Sequence, residues 1–333
     1  MRLTLDKYRV IRALRLIFSL VAGTLISYHL AIPMSGWVMV TSTVVLFDQD
    51  TVGGTINKGK MRLLATLYAA AISFTSMLLF AHHPYIIWTI VIVSIFGYAY
   101  YYMGSKNSYI GVLGVVTIAI LLVSNHNLEL TTALYRLIDI LLGVAIALLS
   151  MVIIYPQYAH QKAQTLLAVS LNDMAHLLKC LLKLDTIEAI RGEILKVETK
   201  FITDVANFNK NLDEAKHEIK VVAHPEIIDY YSQSILGVRR LYRLLLVIFY
   251  YELEDLNLSD TILRQMLTHL IQVFEQIIQH RDPKPTIQAL TALLPQLADA
   301  SLNKTFGYFI TELLALAETC QALREPTKLV DNR

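Results

Sequence analysis

Over the first 156 positions, hydrophobic residues fall into six long runs, at about 11–31, 34–47, 61–81, 85–103, 108–124 and 132–155, with short polar stretches between them. A bilayer core roughly 30 Å thick needs a helix of roughly 17–25 apolar residues. Five runs are near that length, and 34–47 is short enough to be a re-entrant segment. Beyond Pro156 the pattern changes to amphipathic helix. Ile187, Ile190, Ile194, Val197, Phe201, Val205, Phe208, Leu212, Ala215, Ile219 and Val222 follow steps of three and four, a coiled-coil-like seam with one stutter. His224-Pro225 ends that helix. Further helices are predicted through Ile227–Phe249, over about 259–280, and over 286–324. The fold class is all-α: a transmembrane domain, 1–156, followed by a cytoplasmic helical bundle, 157–333.

Charge sets the topology. Six spans put Arg2, Lys7, Arg9, Arg12, Lys58, Lys60, Arg62 and Lys106 on one side with the large C-terminal domain, and leave the loops near Pro33, His82-His83-Pro84 and Ser124–Glu129 free of Lys and Arg. By the positive-inside rule both termini are then cytoplasmic. Five spans would scatter the basic residues over both sides. Residues 1–156 hold ten Lys and Arg against five Asp and Glu, and the rest of the chain nineteen against twenty-two, so the net charge of +2 supports no nucleic-acid partner. The two cysteines, Cys180 and Cys320, form no metal or disulfide spacing. The first run has no small-residue cleavage site and reads as a retained span.

Small and polar residues mark packing faces. Arg12, Arg15, Ser19, Gly23 and Ser27 draw one stripe along the first span, either a close-packing face with arginines snorkelling to headgroups or a pore-lining one. The stretch Asp48–Arg62 reads as a turn-rich loop, and its glycines lack the order of a phosphate loop. Tyr98, Tyr100, Tyr101 and Tyr102 read as an aromatic belt. The run beginning Arg62-Leu-Leu-Ala-Thr66 aligns with Arg136-Leu-Ile-Asp139-Ile-Leu-Leu-Gly143, and Trp37 and Tyr109 precede the two arginines by 25 and 27 residues. Spans one to three and four to six then form two copies of opposite orientation, an inverted 3+3 repeat of the kind found in transporters.

Gly36-Trp37-Val-Met-Val-Thr-Ser-Thr-Val-Val-Leu, Arg62-Leu-Leu-Ala65-Thr66 and the Arg136–Gly143 run ending at Pro156 resemble the fusaric-acid-resistance-like superfamily. That superfamily includes aromatic acid exporters and is related to the plant aluminium-activated malate transporters. The resemblance covers most of residues 30–156. It departs at Ala65, where the family pattern has glycine. It implies a six-helix membrane module with a helical cytoplasmic domain, a homo-oligomer with a dimer favoured, organic-anion transport in a bacterial inner membrane, and a periplasmic adaptor protein as a further partner.

An ionised residue inside a span is expensive and is a functional candidate by default. Arg62, Arg136, Asp139 and Arg15 are the candidate pathway residues, and Gly23, Thr66 and Gly143 the candidate packing residues. A guanidinium offers two parallel hydrogen bonds to a carboxylate. Asp139 either pairs with Arg136 three residues before it or carries a proton. No nucleophile, paired-carboxylate or metal set stands out, so no enzymatic activity or cofactor is expected. The sequence therefore predicts a transporter or channel subunit for organic anions working in efflux, in contact with lipid, its substrate and further copies of itself. The alternative is a membrane-anchored interaction protein.

Overall fold

The computed structural model describes residues 7–30, 36–80, 82–123, 130–183, 187–249, 261–297 and 300–324. The regular elements in these segments are all helices, and the contacts divide the chain into two compact units, Met1–Tyr158 and Ala159–Arg333.

The first unit contains α1 (Lys7–His29), α2 (Gly36–Leu46), α3 (Val52–Phe80), α4 (Pro84–Tyr102), α5 (Ser108–Val123) and α6 (Leu130–Ile153). α2 packs on α6 and α5 on α3, α1 lies against α2 and α6, and α4 lies against α5 and α3, while α3 and α6 meet each other. α2 runs parallel to α6: Trp37 lies beside Arg136, Val38 and Thr41 beside Gly143, and Val45 and Leu46 share a core with Ala147 and Met151. The predicted stripe on α1 is buried at Arg15, Ser19, Gly23 and Ser27, facing α2 and α6 as a packing surface.

Two glycines let helices approach closely. A Cβ on Gly143 would stand 2.7 Å from Thr41 Cβ and 2.8 Å from the Val38 carbonyl, and one on Gly59 would stand 2.7 Å from Val144 Cγ1. Gly23 has ordinary contact distances of 3.8–3.9 Å. Thr66 is buried and donates its hydroxyl to the Arg62 carbonyl at 3.0 Å, which leaves its methyl for packing.

The stretch 52–60, read as loop from its glycines, is the first part of α3. Thr51 starts it, its Oγ1 accepting from the Gly54 N–H at 3.0 Å as an N-cap does. Helix continues through Gly53, Gly54 and Gly59 because all three are buried against neighbours. The tyrosine cluster also divides. Tyr98 and Tyr102 pack over Gly114 and Gly111, while Tyr100 and Tyr101 point outward.

Four of the six predicted spans are long and apolar enough to cross a membrane, as Lys7–His29, Val52–Phe80, Pro84–Tyr102 and Tyr135–Ile153. The other two correspond to the shorter α2 and α5, of 11 and 16 residues. A fifth helix meets the same length and composition test, Ala159–Lys183, the first of the second unit. Its apolar residues lie on one stripe, with Leu167, Leu171, Met174, Leu178 and Leu181 buried in that unit's own core. Its Asp173 and Lys179 form ion pairs with Lys200 and Glu275.

The second unit consists of α7 (Ala159–Lys183), α8 (Ile187–Ala215), α9 (Ile219–Ala223), α10 (Glu226–Val247), α11 (Thr261–Ile278), α12 (Lys284–Leu293), a 3-10 turn at Leu294–Gln296 and α13 (Ala300–Arg324). Its core is built on Phe208, Phe249, Phe274, Phe306 and Phe309, with Phe201 stacked on Tyr242 at 3.9 Å. The seam predicted to reach Val222 stops at Ala215, and Ile219 and Val222 are exposed on the separate α9. The break falls where Glu218 leaves the helical path. Its buried carboxylate accepts from the Ala159 N–H at 2.5 Å and contacts His160 Nδ1 at 2.5 Å, so it caps α7. The helix predicted over 286–324 is likewise interrupted, at Pro295, which lacks the N–H that helix continuation needs.

Candidate functional site

Both spans that begin with an arginine bury it. Arg62, in the third turn of α3, is 4 % exposed, Arg136 in α6 is 2 % exposed, and Asp139 is fully buried. α3 and α6 run antiparallel here. Gly59 stands against Val144, and Arg62 and Asp139 are the charged neighbours acting on Arg136. At roughly 1.5 Å of rise per residue, Arg62 lies near the level of Leu141, so Asp139 falls between the two arginines in height.

An ion pair between Arg136 and Asp139, one of the two roles open to Asp139, is not formed. Both Asp139 oxygens are buried without a hydrogen-bond partner, and the Arg136 guanidinium instead lies over the Trp37 ring, 4.0 Å from its centroid. A weakly hydrated planar cation on an aromatic face is favourable when desolvated. Arg62 has Tyr109 as an electrostatic neighbour, and the cation over the Tyr109 ring is Lys58, 5.1 Å from its centroid. Arg62 Nε and the Tyr109 hydroxyl are buried without hydrogen-bond partners. The site therefore gathers two guanidiniums, one carboxylate and two aromatic rings, with hydrogen-bonding capacity left over on both sides. Two cations against one anion leave a net positive charge in an apolar surround, a state that binding a further anion would relieve.

Residues 20–150 match the fusaric acid resistance protein-like family. The matched region runs from the middle of α1 to the last turn of α6, so it contains Trp37, Arg62, Tyr109, Arg136 and Asp139 and stops before the second unit. The match and the apolar helices point to a membrane transporter-type protein. No curated protein gives a significant match to the chain.

Arg15 stands apart from this cluster. Its Nε donates to the Ile154 carbonyl at 3.1 Å and its Nη2 to the Tyr155 carbonyl at 2.7 Å, while Ser150 Oγ donates to the Arg15 carbonyl at 2.8 Å. It thus satisfies the free carbonyls at the end of α6, where Tyr155 adopts a left-handed φ of 54° before Pro156. Arg12 pairs with Asp50 at 2.6 Å. Among the described residues, no group of three or more His, Cys, Asp or Glu is poised to hold a metal ion.

Sequence reasoning placed the arginines and Asp139 but not their aromatic partners. In the sequence Trp37 and Tyr109 stand only as alignment marks of the two copies. In the structure Trp37 of the first three helices meets Arg136 of the second three, and Tyr109 of the second three is the electrostatic neighbour of Arg62 in the first. The matched offsets of 25 and 27 residues were the available signal.

Proposed function

We propose that the chain is a subunit of an inner-membrane transporter or channel that moves organic anions, aromatic or other carboxylates, out of a bacterial cell. The observation that carries this reading is the buried cluster in which Arg136 has Arg62 and the hydrogen-bond-free carboxylate of Asp139 as its charged neighbours, two cations against one anion. A carboxylate substrate would supply the acceptors that Arg62 Nε and its neighbours lack, with Trp37 and Tyr109 offering ring faces to an aromatic acid.

The helix pairings support an inverted 3+3 repeat. Exchanging α1 with α4, α2 with α5 and α3 with α6 carries the α2–α6 pair into α5–α3, α1–α2 into α4–α5 and α1–α6 into α4–α3. The two short helices, α2 and α5, hold corresponding places, and shortened segments in matching positions of two halves point to the substrate site. The basic residues Lys58, Lys60, Arg62 and Lys106 belong on the cytoplasmic side with both termini and the second unit. A homodimer, with a periplasmic adaptor receiving the exported acid, completes the proposed assembly.

The test is flux of benzoate and of malate through proteoliposomes containing the full chain. Arg136→Gln and Arg62→Gln should each abolish flux while the protein stays folded and inserted. Full flux in either variant, or no flux of either acid in the unsubstituted protein, overturns the anion reading.

A further inference from the structure

One turn before Arg62, on the same face of α3, Lys58 reaches toward the polar end of the first unit. Its ammonium lies 5.1 Å from the centroid of the Tyr109 ring and is held by the carboxylate of Asp48, which also accepts from Gln49 Nε2 at 3.1 Å. The two partners are very different in their surroundings. The Lys58 side chain is 14 % exposed and that of Asp48 is 65 % exposed. Asp48 sits in the short connection between α2 and α3, so it is a carboxylate on a tether, presented to a largely buried cation. Behind Lys58 lie the two unpartnered groups, Tyr109 Oη and Arg62 Nε, the latter on a side chain more than nine-tenths buried.

Resting on the anion-pathway reading above, we infer that Lys58, Tyr109 and Arg62 form an entry site for a carboxylate at the cytoplasmic end of the pathway, and that Asp48 is its built-in occupant, which the substrate carboxylate displaces. Three features combine to give this. Lys58 is too buried to be left without an anion, so something must neutralise it at every stage. Asp48 is solvated enough to give up its place at small cost, because an ion pair with one exposed partner is weak. The next cation inward, four residues along the same helix, already has a free buried donor to receive the acid once Lys58 has captured it. Asp48 thus keeps the entry neutral and closed to stray inorganic anions of low affinity, and a carboxylate that also covers the Tyr109 ring competes with it effectively. The chemical class is a monocarboxylate or dicarboxylate carrying an apolar or aromatic body.

The experiment measures benzoate and malate flux from the cytoplasmic face in proteoliposomes of the full chain, as KM and maximal rate. Asp48→Asn should lower KM by roughly two- to five-fold, the range set by the worth of a weak ion pair, with little change in maximal rate. Lys58→Met should raise KM, and adding Asp48→Asn to Lys58→Met should leave that raised KM unchanged. An unchanged KM in Asp48→Asn, or the same fall with Lys58 already removed, overturns the tethered-occupant assignment. That result is distinguishable from failure of the underlying reading, which is signalled by flux surviving in Arg136→Gln. Loss of all flux in Asp48→Asn with normal thermal stability also overturns it, since Asp48 would then be required rather than displaced.

Discussion

Replacing Gly143 by alanine adds one methyl group where α6 packs closely on α2. The new Cβ would lie 2.7 Å from Thr41 Cβ, 2.8 Å from the Val38 carbonyl oxygen and 2.9 Å from Thr41 Cγ2, where carbon atoms prefer roughly 3.5–4.0 Å. One of these neighbours is backbone, so α2 must move as a body, by about 1 Å. Overpacking of this kind costs about 1–3 kcal/mol, against which a helical Gly→Ala change gains about 1 kcal/mol from propensity alone. Gly23→Ala supplies the control, since its Cβ would meet Met39, Val38 and Ile146 at an ordinary 3.8–3.9 Å and should show only the gain. The difference between the two variants isolates the overpacking. At about 2–4 °C per kcal/mol for a unit of this size, Gly143→Ala should melt roughly 2–12 °C below Gly23→Ala in thermal unfolding of the detergent-solubilised protein. Equal melting temperatures would refute the close α2–α6 approach and, with it, the placement of Trp37 over Arg136.

Arg15→Ala should lower stability by about 1.5–3 kcal/mol, the worth of a charged hydrogen bond to a carbonyl, with KM for anion flux unchanged; an unchanged melting temperature with a raised KM would make Arg15 a pathway residue instead. Glu218→Ala should cost about 1–2 kcal/mol as a lost N-terminal cap, and hydrogen exchange should speed up first at the amides of Ala159 and His160 in α7. Asp204 has a carboxyl pushed up by burial, with Asp173 adding to the rise and Lys200 opposing it, and its Oδ2 is buried without a partner. A raised acid pKa means that the folded state binds the proton more tightly, so stability is lost as pH rises from the ordinary aspartate value of about 4 through the raised one. Asp204→Asn should therefore raise the melting temperature at pH 7.5, and the gain should vanish below about pH 4. A gain that is independent of pH would show that the carboxylate charge is not its cause.

The helices were legible because bilayer length and heptad-like spacing are one-dimensional signals, and so were the arginines, because a charge in an oily run stands out in a list of residues. The α3 start was hidden by Gly53, Gly54 and Gly59. Glycine weakens an isolated helix, and only the neighbours that these residues allow to approach, such as Val144 at Gly59, compensate for that loss. The end of α8 was hidden for the opposite reason. Lys216-His217-Glu218 holds no proline or glycine, and the break exists because Glu218 serves a helix that begins 59 residues earlier in the chain. The partner of Arg136 was unreadable from spacing, since three residues along a helix brings Asp139 near without choosing between it and the Trp37 ring on α2. Local rules name candidates; contacts between distant segments select among them.

The two carbonyls that hold the Arg15 guanidinium lie 139 and 140 residues further along the chain. During synthesis at 5–20 residues per second, the first span therefore waits roughly 7–28 seconds for the acceptors that allow its arginine to be buried. Until then that guanidinium must stay at the headgroups. A ribosome that stalls before Ile154 leaves that arginine without its acceptors, so the same contact that closes the helix end also reports that α6 has been made in full.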